Sequence, residues 1–396
     1  MNEHVAVVDL GYGDVGKGTV VDALCSRAKP RAVLRFNGGA QAAHNVVTED
    51  GRQHTFAQLG SGTLRGVPTH LTRFMVVDPL ALAAEARSLG NPFELLTVDG
   101  DALLATPWHR AANRRRELAR GAGRHGSCGM GVGETMAYAL SHDRAPRVGD
   151  ALSRTALRAR LAAVEADLGP AGVPLDDVVD AFLAFGRAVR IVSGHEKTLL
   201  REGPCVFEGA QGVLLDEWRG WHPHTTWSTT TFGNVSELCD SYRRIGVVRT
   251  YTTRHGAGPF VTEDPELDLP EGHNATGEWQ GAFRVGHFDA VAHRYAVEVA
   301  GGVDGLAVTH LDVPERCPDL RICESYTVDG EAWTRIEPGP PRDLECQAAL
   351  TERLRWAEPG PLRRPDDWAG EIGGLLGAPV VIESYGPAAD DKKFAE

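Results

Sequence analysis

The 396 residues include 42 % hydrophobic and 24 % charged side chains, with a formal net charge of −13, an ordinary composition for a chain that buries a sizeable core. That charge argues against general nucleic-acid binding, which needs a basic surface, but it leaves room for a local basic pocket around a nucleotide phosphate. No apolar run reaches the roughly 18 residues of a membrane span, so no membrane partner is expected.

The first residues, Met1 to His4, lack the basic start and cleavage site of a secretory signal, and Val5 to Leu10 reads as the first strand. Further short apolar runs, Ala32 to Phe36, Phe74 to Val77, Cys205 to Glu208, Val247 to Thr252 and Gly305 to Leu311, each end in a Gly-, Thr- or Asp-rich turn. This is the pattern of buried parallel strands whose ends carry a site. Helical patterns run over Asp150 to Ala166 and Leu175 to Leu199. Ile322 to Tyr326 and Val380 to Ser384 read as late strands, and the segment 316–385 as a small appended lobe. The fold class expected is α/β: a large, mostly parallel central sheet with flanking helices in a single domain over 1–396, with small excursions. Seven cysteines, at 25, 128, 205, 239, 317, 323 and 346, form no CxxC pair. An odd, unpatterned set fits a reducing compartment, and a cytoplasmic location is expected.

The first strand runs into Gly11-Tyr12-Gly13-Asp14-Val15-Gly16-Lys17-Gly18, with a helix expected from Thr19. Glycines at a strand-to-helix turn let backbone N–H groups close on phosphate oxygens, and the helix start adds favourable partial charge. Gly13, Gly16, Lys17 and Gly18 are therefore the nucleotide-binding candidates, with Lys17 placed to neutralise phosphate. The pattern is G-x(4)-G-K, but Gly18 stands where a Walker loop carries the metal-binding hydroxyl. Asp14 is the replacement carboxylate for a metal.

The loop resembles the G-D-E-G-K-G loop of adenylosuccinate synthetases, with Val15 in place of Glu. Further blocks follow in that family's order. Arg35 to His44 is similar to R-Y-x-G-G-x-N-A-G-H, Leu59 to Gly62 to I-P-S-G, and Thr309 to Asp312 to T-K-L-D. Phe207 to Gly212 with Leu215-Asp216 reproduces F-E-G-A-Q-G…L-D, and Tyr251 to Phe260 departs from Y-T-T-R-V-G-A-G-P-F only at His255. With the Gly386-Pro387 turn, the resemblance spans most of the chain.

The resemblance implies a ligase that phosphorylates the 6-oxygen of a purine nucleotide with GTP and lets the amine of aspartate displace the phosphate. A purine carbonyl oxygen is a poor nucleophile, so a base must take the ring N1 proton while cations hold the γ-phosphate in line. By resemblance Asp14 is that base and a Mg2+ ligand, joined by the carbonyl of Ala43. His44 is the general acid or γ-phosphate stabiliser, Lys17 sits on phosphate, and Gln211 orients the base. Gln41, Thr230, Thr231 and Arg254 join the substrate contacts. Asp312 corresponds to the carboxylate that accepts from guanine. Lys becomes His310 beside it, so GTP is the first expectation and ATP a competitor. The family also implies a homodimer that completes its phosphate site with a neighbour's arginine, here Arg144 with Arg147 behind it.

The departures concentrate on substrate recognition. The phosphate-binding G-T-T-G-R-G becomes Gly126-Ser127-Cys128-Gly129-Met130-Gly131, replacing a hydroxyl by the Cys128 thiol and an arginine by Met130. The amino-acid loop T-T-G-R-P-R-R reads Ala275-Thr276-Gly277-Glu278-Trp279-Gln280-Gly281-Ala282-Phe283-Arg284. Glu278 replaces the first of two carboxylate-gripping arginines and only Arg284 remains. A specialised ligase is expected, acting on a purine nucleotide or a related small molecule with aspartate or another amine. The retained Asp14, Lys17 and His44 also fit a kinase or NTPase that has lost amine addition. A non-catalytic nucleotide-binding homologue is a further alternative.

Overall fold

The computed structural model describes residues 3–269 and 277–395. Its centre is a ten-stranded sheet. In chain order the strands are β1 (Val5–Asp9), β2 (Val33–Arg35), β3 (Thr69–Leu71), β4 (Leu96–Asp99), β5 (Arg190–Val192), β6 (Val206–Gly212), β7 (Arg243–Arg249), β8 (Gly305–Thr309), β9 (Val380–Ser384) and β10 (Lys392–Phe394). Across the sheet they run β10-β9-β8-β7-β1-β6-β2-β3-β4-β5. Every pairing is parallel except β9 with β10.

A parallel sheet covered on both faces needs strands without a polar side, and all five residues of β1 are buried. Ala6 and Val8 face one core, with Phe207, Val291, Tyr295 and Ile372, while Val5 and Val7 face another, with Val20, Val21 and Ile245. A separate cluster around Trp108, Leu161 and Phe182 covers the end of the sheet that β3, β4 and β5 form. The chain leaves β1 towards β2 on one side and returns through β6 and β7 on both flanks of β1. The carboxyl end of β1 is therefore a topological switch point, where open α/β sheets place their ligands.

Several expected elements take other forms. Val76–Val77 is a strand, but it pairs with Leu103–Leu104 outside the central sheet. The strand expected over Val247 to Thr252 begins earlier, at Arg243, and Thr252–His255 forms a separate antiparallel pair with Phe283–Gly286. The single helix expected over Leu175 to Leu199 is broken. Leu175–Ala188 is helical, β5 follows, and a short helix resumes at Glu196–Glu202. The β-branched run Ile191-Val192 pairs with β4, and Ser193-Gly194 makes the turn. The helix expected over Asp150 to Ala166 starts at Arg154, where Ser153 accepts from the Ala156 N–H and caps it. Within 316–385, Val380–Ser384 is part of the central sheet. Tyr326 binds Asp289 in the main core, so this segment is tied to the body of the fold.

Candidate active site

The loop after β1 turns through left-handed conformations at Gly13 (φ 101°), Asp14 (φ 56°) and Gly16 (φ 89°), and the helix Lys17–Ala28 starts at once. Aspartate is among the few residues that tolerate this region, and here it turns the Asp14 carboxylate towards His255, whose Nε2 lies 3.3 Å from Oδ2. Burial raises the Asp14 pKa, but the hydrogen bond and charge of His255, with Lys17 and Arg249, outweigh it and hold the carboxyl below its ordinary range. A Cβ on Gly18 would stand 2.8 Å from His44 Cβ and 3.1 Å from the Asn45 carbonyl oxygen. That close approach explains why no Walker hydroxyl occurs here: a side chain at 18 would push away the strand His44–Val47. Lys17 Nζ donates to Asp9 Oδ2 at 2.8 Å, and Asp9 Oδ1 accepts from the N–H groups of Gly11 and Gly13. A carboxylate thus engages the donors that the loop offers to phosphate.

His44 meets Glu208 on β6, with Nδ1 2.6 Å from Oε1. Glu208 also accepts from the Ser61 N–H at 2.9 Å and from the Ser61 hydroxyl. Burial alone would raise the Glu208 pKa. The charge and hydrogen bond of His44, the Arg35 charge and Ser61 reverse this, and it falls to about 2. Burial lowers the His44 pKa, a fall that Glu208 opposes. Glu208 thereby fixes Nδ1 as the bonded nitrogen and leaves Nε2 for chemistry, as in other carboxylate-oriented imidazoles. Gln211, at the end of β6, holds φ 58°, and its Oε1 has no protein partner; neither do both polar atoms of the Gln41 side chain. A buried amide without a partner loses its hydration for nothing, so both fit a ligand's polar edge. Ala43 is exposed and is not among the residues with positive φ, so its alanine side chain does not strain a carbonyl in the position the family uses.

On the other flank of β1, Thr309 Oγ1 donates to the Val15 carbonyl at 2.8 Å and ties the end of β8 to the phosphate loop. His310 follows in a left-handed conformation (φ 58°), with its pKa pushed well down by burial and by Arg249. Asp312 precedes the short helix Val313–Arg316 but makes no side-chain cap. Its carboxylate pairs with Arg316.

Arginines expected at the amine end are engaged by the protein. Arg254 is 1 % exposed, donates to the Ala257, Pro259 and His224 carbonyls and stacks over Tyr12; burial lowers its pKa to about 10. Arg284 lies opposite Arg254 in the strand pair, binds Glu263 and donates to the carbonyls of Gly256 and Gly258. Arg284, expected to grip a substrate carboxylate, thus has its guanidinium paired with a carboxylate of the protein. Ala275 and Thr276 lie outside the described residues. Glu278 is exposed, whereas Trp279 packs on the 126–131 loop: a Cβ on Gly129 would meet its ring at 2.8 Å. The guanidinium carbons of Arg114 and Arg124 stand 5.3 and 5.9 Å from that ring. The Cys128 thiol is partly buried and raised by desolvation, with the charges of Arg110 and Arg114 acting against it. Thr230 is buried and donates to the Gly212 carbonyl at 3.0 Å, while Thr231 is partly exposed. Arg144 is exposed beyond the helix Val132–Ser141, and Arg147 donates to the Asp101 carbonyl.

The adenylosuccinate synthetase family profile matches residues 6–361. This chain belongs to the adenylosuccinate synthetase family. It is 33 % identical to the adenylosuccinate synthetase of Alkalilimnicola ehrlichii, an alignment covering 98 % of this chain and 96 % of the relative. The enzyme of Halorhodospira halophila is likewise 33 % identical, with 98 % and 97 % covered. The fold is also that of fully ligated adenylosuccinate synthetase from Plasmodium falciparum (TM-score 0.84, 21 % identity, all of both chains covered). It is similar to cyanophage S-2L succinoaminodeoxyadenylate synthetase (PurZ), bound to dGMP and to dATP as an energy donor (TM-score 0.65, 20 % identity, 100 % of this chain and 95 % of that one). The chain is therefore a nucleoside-triphosphate-dependent ligase that forms a C–N bond at a purine-nucleotide carbonyl carbon. Within this adenylosuccinate synthetase fold, sequence reasoning passed over Glu208 and Asp9. It also passed over Arg110 and Arg114, although their spacing of four puts them on one face of the helix Pro107–Ala119. That spacing, and the place of Glu208 inside the unchanged Phe207–Gly212 block, were the signals available.

Proposed function

We propose that this member of the family is a specialised ligase that keeps the oxygen-activation machinery and takes an amine with fewer carboxylates than aspartate. The observation that carries this reading is the engagement of Arg284 by Glu263, together with Glu278 in the place of the family's other arginine. In this reading Asp14 takes the N1 proton of the purine, and the 6-oxygen attacks the γ-phosphorus and displaces the nucleoside diphosphate while Lys17 turns from Asp9 to the phosphates. His44 donates through Nε2, with Glu208 holding the ring, and Gln211 and Gln41 meet the substrate's polar edge. The amine then adds at C6 and inorganic phosphate leaves. Water must be kept from the phosphorylated oxygen, and the Trp279 ring against the 126–131 loop is suited to closing that side.

The Asp14 carboxylate and the Ala43 carbonyl are hard oxygen donors that fit Mg2+. Mg2+, when bound, supplies charge neutralisation at the phosphates. Asp312 supports GTP as energy donor; its pairing with Arg316, with His310 alongside, supports ATP as a second reading. Arg114, which donates to the Gly129 carbonyl beside Cys128, is the cation offered to a substrate phosphate in place of the family arginine replaced by Met130, while Arg110 is paired with Asp78. We further read the chain as one domain working in the cytoplasm as a homodimer. Arg144 would be offered to the neighbour, and Leu140, 76 % exposed on the adjoining helix end, would be covered by it.

A phosphate-release screen across purine nucleotides and amines, with GTP and with ATP, tests the reading. Release that requires both nucleotide and amine supports it. Release with the nucleotide alone points instead to a kinase or NTPase.

A further inference from the structure

His70, Asp99 and Glu196 meet beneath the half of the sheet farthest from the phosphate loop. The pleat explains the first two. His70 on β3 lies in register with Thr97 on β4, and Asp99, two residues on, shares the face of Thr97. Glu196 opens the helix after β5 and closes the group from outside. One ligand atom from each of the three lies within 4.8 Å of the others. All three side chains are buried, His70 completely so at 0 % exposure.

The hydrogen bonds around this group leave it short of positive charge. Thr97 Oγ1 lies 2.9 Å from His70 Nδ1 and 3.4 Å from the Thr69 carbonyl oxygen. With Nδ1 engaged by Thr97, Nε2 is the ring nitrogen turned towards the carboxylates. Nε2 faces Glu196 Oε2 at 3.8 Å, and neither atom has a hydrogen-bond partner. A buried ring nitrogen and a buried carboxylate oxygen, both without partners at that separation, leave room for a cation bound by the two. The Asp99 oxygens accept from the N–H groups of Asp101 (2.8 Å) and Gly194 (3.2 Å), which orients the carboxylate. Arg73 Nη1 stands 3.9 Å from the other Glu196 oxygen, Oε1, and its Nη2 is directed to Glu237.

We propose that His70 Nε2, Asp99 and Glu196 form a divalent metal site of zinc type, pinning the start of the helix Glu196–Glu202 to β3 and β4. Metal–ligand bonds of about 2.0–2.2 Å place the ligand atoms roughly 3–4 Å apart, the separation already present between His70 and Glu196. One imidazole with two carboxylates suits Zn2+ and its first-row neighbours better than Mg2+, which favours an all-oxygen shell. Thr97, at His70 Nδ1, is the outer partner that orients the ring, as such partners do in metal-bound histidines. The site lies apart from Asp14 and performs no step of the ligase reaction.

The test uses the full chain, stripped with a chelator, dialysed and titrated with Zn2+ and Co2+. We expect one equivalent of Zn2+ to bind and raise the thermal unfolding midpoint, and Co2+ to give the absorption bands of a low-symmetry nitrogen–oxygen site. Glu196→Gln and His70→Asn should abolish that equivalent, Thr97→Val should weaken it on the order of 10–100-fold, and Asp14→Asn should leave it intact. Should His70→Asn fail to fold, Glu196→Gln and the Co2+ spectrum of the unaltered chain still decide. The proposal is overturned if no stoichiometric metal binds, if Asp14→Asn alone removes it, or if the His70 ring proves to be an imidazolium paired with Glu196 by NMR in metal-loaded protein.

Discussion

His255 Nε2 stands 3.3 Å from Asp14 Oδ2, so a histidine this chain carries in place of the family's valine contacts the group assigned as the base. A hydrogen bond to the ionised carboxylate favours that form and weakens it as a base. The base must be ionised to act, so rate rises with pH through its pKa. His255→Val removes a lowering contribution, and the Asp14 pKa therefore rises. The acid limb of the kcat/KM profile should move to higher pH in that variant. An unmoved limb would show that His255 does not act through Asp14.

Asp14→Asn and His44→Ala should each lower turnover by ~10²-fold or more, the scale of removing an acid–base group. Steady-state phosphate release measures it, with circular dichroism to verify folding. Near-normal turnover in either folded variant would end the assigned mechanism.

Glu208 anchors both His44 and Ser61 and should make the fold acid-sensitive. Its folded pKa of about 2 lies below the ordinary 4.5, so its contribution is fully present above that ordinary value and is lost as pH falls towards the folded one. His44, buried with a lowered pKa, acts in the same direction, because acid must charge it at the expense of the fold. Thermal midpoints of the unaltered chain should fall from about pH 4.5 downwards, and Glu208→Gln should be less stable at neutral pH with a flatter acid limb. Parallel curves for the two proteins would contradict this.

Aspartate should saturate the enzyme poorly. Losing a charge-assisted contact costs on the order of 2–3 kcal/mol, which at ~1.4 kcal/mol per tenfold is roughly a 30-fold or greater loss of affinity. Arg284 already binds Glu263, and Arg254 donates to backbone carbonyls. The comparison is KM for aspartate against amines bearing one carboxylate or none. Efficient turnover of aspartate with inosine monophosphate at a low KM would mean that the altered loop leaves amine recognition intact.

The chain order of β1, β6, β7 and β8, the phosphate loop and the family were legible in the residues, because buried parallel strands are continuous apolar runs and a phosphate loop is local chemistry. Lys17, Asp14, His44 and Gln211 could be named from their motifs alone. The strands β3, β4 and β5 were not legible. Thr69-His70-Leu71 and Leu96-Thr97-Val98-Asp99 carry polar residues that become strand only through pairing with neighbours. Nor could any local pattern foresee that Arg284 would meet Glu263, that Glu208 would hold His44 across 164 positions, or that Asp9 would engage Lys17. Motifs specify which groups are present near one stretch of backbone. Which charges neutralise one another depends on distances set by the packed sheet, and only the tertiary structure decides those.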